Sequence, residues 1–184
     1  MASFTVAGCE YWMRIVAGMH YGGADALSDL WRDNSITGLP FVYNDSTAAQ
    51  QQLYQLLDTR NQKGKRVGSV MKSMEPVVFP ASKQTDIRRF DVTLHASLLL
   101  NNNVTQIRQS PALPSLDMDN PQCLAHLTCI GDFVSYLKQA RNYLIHNDPQ
   151  TITKQKFQDY WVILEGILTG IINLRYHKNI PFEK

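Results

Sequence analysis

The stretch Tyr136-Leu-Lys-Gln-Ala-Arg141-Asn-Tyr-Leu-Ile-His146-Asn-Asp-Pro149 decides how the chain is read. With Phe133 just before it, the residues Phe133, Leu137, Ala140 and Leu144 recur at three- and four-residue steps, the spacing that gathers side chains on one face of an α-helix. Asp148-Pro149 ends that helix, because a proline ring cannot continue a helical turn. An arginine, an asparagine beside it and a histidine five residues on therefore fall in its last turns. Arginine is a permanently charged, forked donor suited to phosphate, and histidine is the side chain whose proton moves near neutral pH. Together they point to phosphodiester chemistry or nucleotide binding. The same residues also fit a plainer role, in which cations at a helix end offset the macrodipole and satisfy the last carbonyls.

Downstream, Thr151 or Thr153 offers a cap for a last long helix running through Phe157, Trp161, Leu164, Leu168 and Ile171 towards Arg175. Two long helices joined by about six residues predict an αα-hairpin. Upstream, Pro121 after Asn120 suits the first position of another helix, and Gly131-Asp132 marks a nick before Phe133. The apolar spacing of Cys123, His126 and Cys129 places them on one face of that helix. Three stacked ligands cannot surround a tetrahedral metal, so a buried core stripe is expected.

The region from 101 to 120, with three asparagines, Pro111 and Pro114, reads as the longest loop. Before it, Phe90 to Leu100 is strongly apolar and reads as a helix, since a lone strand in a helical chain lacks a partner. Val67 to Met74 suggests a short helix ending before Glu75-Pro76, and Val77-Val-Phe-Pro80 a buried connector. Ala48 to Arg60, preceded by the cap oxygens of Asn44 to Thr47, predicts a helix with Leu53, Leu56 and Leu57 inward. The opening, Phe4 to Met19 and then Ala24 to Trp31, reads as a helical pair or one helix interrupted at Tyr21-Gly22-Gly23. All of this describes an all-α protein.

Arg60, Lys63, Lys65 and Arg66 cluster around Gly64 as the most basic stretch, a solvated turn or an RNA backbone patch. Gly64-Lys65 is not a phosphate-cradling loop: Thr59 stands where the first glycine would be, and Arg66 where the hydroxyl would be. Over the whole chain charge is nearly balanced, with 18 Lys+Arg against 16 Asp+Glu, so no overall field drives it onto nucleic acid or membrane. A length of 184 residues suits one domain. Cys9, Cys123 and Cys129 are odd in number, and no signal-peptide pattern opens the chain, so a cytoplasmic home is expected. The apolar run from Trp161 to Leu174 falls short of the roughly twenty residues that a membrane span needs and contains Glu165, which predicts a core helix.

Arg141-Asn142 followed by His146, ending the first arm of a late helical hairpin, resembles the HEPN family, the higher-eukaryote and prokaryote nucleotide-binding domains. Three further stretches resemble its animal branch, named for the DAZ-interacting zinc-finger protein. Glu10-Tyr-Trp-Met-Arg14 running to Gly22-Gly23-Ala24-Asp-Ala-Leu27 is similar to the opening helices and glycine turn of that branch. Pro76-Val-Val-Phe-Pro80 with Phe90-Asp91-Val-Thr-Leu94 is similar to its connector and central helix, and Phe157 and Trp161 to the aromatics of its last helix. Members often carry an acidic residue after the Arg-Asn pair and a small one before the histidine, where this chain has Tyr143 and Ile145.

The resemblance implies a single HEPN-like helical bundle over residues 1–184, the N-terminal module of a larger innate-immunity type receptor. It implies RNA or a nucleotide as partner, a two-fold homodimer and no cofactor. Function is then either a metal-independent endoribonuclease or a non-catalytic dimerisation or nucleotide-sensing adaptor. In the enzyme, His146 would be general base or acid for attack of a ribose 2′-OH on its phosphate. Arg141 would neutralise the growing charge, and Asn142 would orient the histidine or the sugar. Such chemistry requires RNA rather than DNA. Five residues of ideal helix set Arg141 and His146 about 140° apart, whereas Asn142 and His146 differ by only about 40°. Two copies facing each other would bring the three residues together, with Tyr143 and Trp161 as apolar neighbours to hold the contact.

Overall fold

A computed structural model of the chain describes residues 6–176, with side chains from residue 8 to residue 175. In order, the helices are α1 Val6–Gly18, α2 Ala24–Trp31, α3 Asn34–Thr37, α4 Thr47–Asp58, α5 Glu75–Val78, α6 Val92–Leu99, α7 Ile130–His146 and α8 Lys154–Tyr176. Among the described residues there is no strand, only an isolated bridge between Arg60 and Arg66. None of the helices described is long and apolar enough to cross a membrane.

α7 is the central post. Its buried Phe133, Val134, Tyr136, Leu137, Ala140 and Leu144 face α8 on one side and α6 on the other. Burying side chains such as Leu137 and Leu144 completely stabilises the fold by about 1.5 to 3 kcal/mol each. α8 runs back beside it as the second arm of the expected hairpin, capped by Thr153, whose Oγ1 accepts the N–H of Lys156 at 3.2 Å. α1 lies across α8 and the connection between the two arms.

The opening is one helical path rather than two. A π-helical turn, Met19–Gly23, joins α1 to α2 without a break and swings Tyr21 out to 71 % exposure. Here glycine serves close packing: a Cβ on Gly23 would come within 3.3 to 3.5 Å of Val92 and Leu137. The part of this helix expected to begin at Phe4 lies outside the described residues. At Gly38 the reason is conformational, because φ is 68° and Gln106 occupies the space of a side chain.

Some expectations are corrected. Val67 to Met74 is not a helix ending before Glu75-Pro76. Val67 and Gly68 donate their N–H groups back to Thr59 and Leu57, a short 3-10 turn covers Lys72–Met74, and α5 begins at Glu75, with Pro76 in its first turn, where no N–H is required. Cys123, His126 and Cys129 share no buried stripe. The 3-10 helix Pro121–His126 ends before Cys129, leaving Cys123 in the core, His126 exposed and Cys129 as the cap of α7. Gly131-Asp132 does not nick a helix but lies in the first turn of one: the carbonyl oxygen of Arg108 passes 1.8 Å from where a Cβ on Gly131 would stand. In α8 the inward stripe is Tyr160, Ile163, Leu164, Ile167 and Ile171, while Trp161 is 41 % exposed.

The long loop from 101 to 120 is strapped to the helices. Asp132 accepts the N–H and Oγ of Ser110 at 2.6 and 2.8 Å and the N–H and Oγ1 of Thr128 at 2.9 Å each. Leu116 donates its N–H to Gln139 Oε1 at 2.9 Å. Burial pushes the Asp132 carboxyl up, but these donors outweigh it and hold the group down at about 2.

Candidate functional site

Two carbonyls in the last turn of α7 are covered by specific donors. Trp12 Nε1 donates to the carbonyl of Leu144 at 3.1 Å, and Asn147 donates both its N–H and its Nδ2 to the carbonyl of Tyr143, at 3.1 and 2.7 Å. A rigid helix end therefore presents the motif.

Arg141 and Asn142 differ in exposure from His146. Arg141 is half-buried on the α6 side, where Nη2 donates to Asp91 Oδ2 and Nη1 to Asn142 Oδ1, each at 3.4 Å. Asn142 is half-buried, and His146, the final residue of α7, is exposed with no hydrogen-bond partner among the described residues. Arg141 flanks the buried stripe on one side and His146 lies well around the helix, as the 100° per residue of an α-helix requires. A single chain thus joins Arg141 to Asn142 but does not bring His146 to the guanidinium.

Tyr143, which stands where the resembled family often has an acid, is drawn inward. Its hydroxyl lies 3.1 Å from that of Tyr160, and Tyr160 donates to Asp119 Oδ1 at 3.2 Å. A carboxylate only accepts, so Tyr160 gives its proton to Asp119 and receives that of Tyr143. Burial first, then Tyr143 and Asp119, raise the Tyr160 phenol far above its ordinary value. Lys156 Nζ stands 3.8 Å from the same Asp119 oxygen. The long loop is in this way coupled to the motif helix, a link that sequence spacing does not reveal.

The basic stretch divides in two. Arg60 Nη1 donates to the carbonyl of Gly64 at 3.0 Å, and Arg66 pairs with Asp58 at 2.5 Å while lying 4.1 Å over the ring of Phe79. Those two arginines hold the turn. Lys63 and Lys65 are exposed. Arg60, Lys65 and Arg66 line an open cleft of about 400 Å³ with Glu75 and Phe79. This turn hangs on the far end of α6, where Asn101 Nδ2 donates to the carbonyl of Val67 at 2.8 Å. Asp91, which holds Arg141, is at the near end, about 15 Å away along the helix axis. Basic turn and motif are therefore separate places.

The buried histidine, His95, is structural. His95 Nδ1 accepts from Trp31 Nε1 at 3.0 Å, which leaves Nε2 to carry the proton towards Ser28 Oγ at 3.2 Å. Burial, with the charge of Arg32, pushes its pKa down to about 3, so the ring is neutral. Among the described residues no group of three His, Cys, Asp or Glu is arranged to hold a metal ion.

No family model, curated protein or solved structure matches the chain. What the fold and the motif define together is an all-α protein in which the first arm of the central helical hairpin ends in an arginine-asparagine pair and an exposed histidine.

Proposed function

We propose that the chain is an RNA-binding HEPN-like domain, working as a metal-independent endoribonuclease through a site composed by two copies. The observation that carries this reading is the end of α7: a half-buried, pre-oriented arginine and an exposed histidine with no partner among the described residues, on one helix terminus. Arg141 would bind the scissile phosphate and stabilise its developing charge. His146 of one copy would take the proton of the ribose 2′-OH as that oxygen attacks phosphorus. The bond to the 5′-oxygen then breaks, and His146 of the second copy would return a proton to the leaving oxygen. Exposed Trp161, one residue after the Tyr160 that meets Tyr143, supplies apolar surface on the neighbouring helix. The free thiols of Cys9, Cys123 and Cys129 suit the cytoplasm we assign to it.

A second reading has its own support. Arg141 is already engaged by Asp91 and Asn142, and Tyr143 is turned into the fold, which suits an adaptor that dimerises or senses a nucleotide without cutting RNA, as in an innate-immunity type receptor. Labelled RNA incubated with the protein in EDTA separates the two. Cleavage by the wild type, its loss in His146→Ala and its block by a 2′-deoxy sugar at the cut support the enzyme. Binding without cleavage supports the adaptor.

A further inference from the structure

Asp91 uses its two carboxylate oxygens for different purposes. Oδ1 accepts the N–H of Leu94 at 2.7 Å and caps α6, while Oδ2 accepts from Arg141 at 3.4 Å. The backbone beneath it is fixed, because the carbonyl of Asp91 accepts the N–H of His95 at 2.9 Å and the buried Phe90 ring stands edge-on to Trp31 and His95. The long arginine is the movable partner. Of its five donors only two are engaged, both at distances longer than the roughly 2.7 to 2.9 Å of a strong charge-assisted bond. The two side chains are 27 % and 34 % exposed, so water reaches the pair and keeps it weak. Such a contact suffices to aim a guanidinium, yet a better anion can replace it.

Resting on the reading of Arg141 as a phosphate ligand, we propose that Asp91 is an internal stand-in for the phosphate. It holds the arginine in the free protein and yields it to an incoming RNA phosphodiester. A carboxylate in this place opposes RNA binding while keeping the arginine on the α6 side of the motif. Asp91 is thus a positioning residue for Arg141.

Asp91→Asn is the test, since asparagine caps a helix as well as aspartate does and only the charge is lost. With a short fluorescein-labelled oligouridine as probe, we expect Kd to tighten about threefold to tenfold at low salt, with a smaller gain at high salt, where screening weakens the carboxylate. The gain should vanish in an Arg141→Ala background. In an enzyme that cuts the probe, KM should fall while kcat also falls, because the arginine has lost its aim. A variant that binds where the wild type does not supports the proposal equally. Wild-type binding that Asp91→Asn leaves unchanged overturns the stand-in and spares the phosphate reading. A gain that survives Arg141→Ala is a general charge effect and also overturns it, and no binding by either protein removes both. Should Asp91→Asn unfold, Asp91→Ser keeps a capping oxygen without the charge and replaces it.

Discussion

Trp12 and Leu144 are 132 residues apart in the chain, and the indole N–H of the first closes the last turn of the helix that ends with the second and its neighbours, at 3.1 Å. Helix termini leave carbonyls without intrahelical partners, and this bond, made from α1, satisfies one of them beside His146. Trp12→Phe keeps an aromatic ring but leaves the carbonyl unpaired. We expect a loss of about 1 to 2 kcal/mol in urea unfolding, with faster hydrogen exchange concentrated at residues 144 to 147. Uniform exchange along the chain would show that the bond does not govern the motif end.

Two glycines with opposite surroundings give a second test. A Cβ on Gly131 would overlap the carbonyl of Arg108, which is backbone and cannot step aside, whereas nothing lies within 4 Å of one on Gly64. Gly64 instead has φ of 71°, a left-handed conformation that an L side chain resists by roughly 1 to 2 kcal/mol. Gly131→Ala should therefore cost more than about 3 kcal/mol, beyond ordinary overpacking, and Gly64→Ala about 1 to 2 kcal/mol. Thermal unfolding of both variants checks the order, and equal losses contradict it.

These cases also show what the sequence could and could not convey. Helical spacing made α4, α7 and α8 legible, because each buries a stripe that recurs every three or four residues, whereas α6, buried nearly all round, was legible from its apolar run. Nothing in the local sequence counts against a nick at Gly131, because the loop backbone that crowds it, at Arg108, is over twenty residues away. A step of four residues from Phe157 carries the expected run through Trp161, while the buried stripe runs one residue earlier, through Tyr160. The motif residues were visible as types, but Asp91 beside Arg141 and Asp119 behind Tyr143 are tertiary partners with no fixed spacing.

Buried His95 sets an acid limit. Its pKa is pushed down to about 3, against about 6.5 in an unfolded chain. Below the unfolded value the unfolded chain binds a proton that the native ring refuses, so stability is full above about pH 6.5 and falls as pH drops towards 3. For one such group the slope approaches 1.4 kcal/mol, roughly, per pH unit. Asp132 adds to the loss as pH falls from the ordinary carboxylate value of about 3.9 towards about 2, where its own pKa is held. His95→Gln, which cannot charge, should start less stable at neutral pH and show a flatter dependence between pH 4.5 and 6.5, roughly the window in which the unfolded-chain histidine titrates first. Urea midpoints measured across that window decide it, and parallel curves for the two proteins would assign the acid loss elsewhere.

The composite site proposed above would need two chains, and the charges of the motif decide how their association should respond to salt. Two copies facing each other across α7 would bring two Arg141 guanidinium groups together, each only partly offset by Asp91. Tyr143 is committed to Tyr160 and cannot serve as the apolar anchor without breaking that bond. Trp161 remains, exposed with Val162 and Ile172 on the same helix, beside a groove of about 250 Å³ bounded by Gly18, Leu164 and Leu168. Buried aromatic anchors carry most of the energy of such contacts, so Trp161→Glu should abolish the dimer while Tyr143→Phe leaves it intact. Screening, or a phosphate between the arginines, removes their repulsion. Dimerisation should accordingly strengthen in high salt or with RNA, against the weakening expected of a contact held by opposite charges. Sedimentation at low and high salt, with and without RNA, reads this directly. A chain that stays monomeric under all four conditions cannot assemble Arg141 and His146 into one site and leaves the adaptor reading in its place.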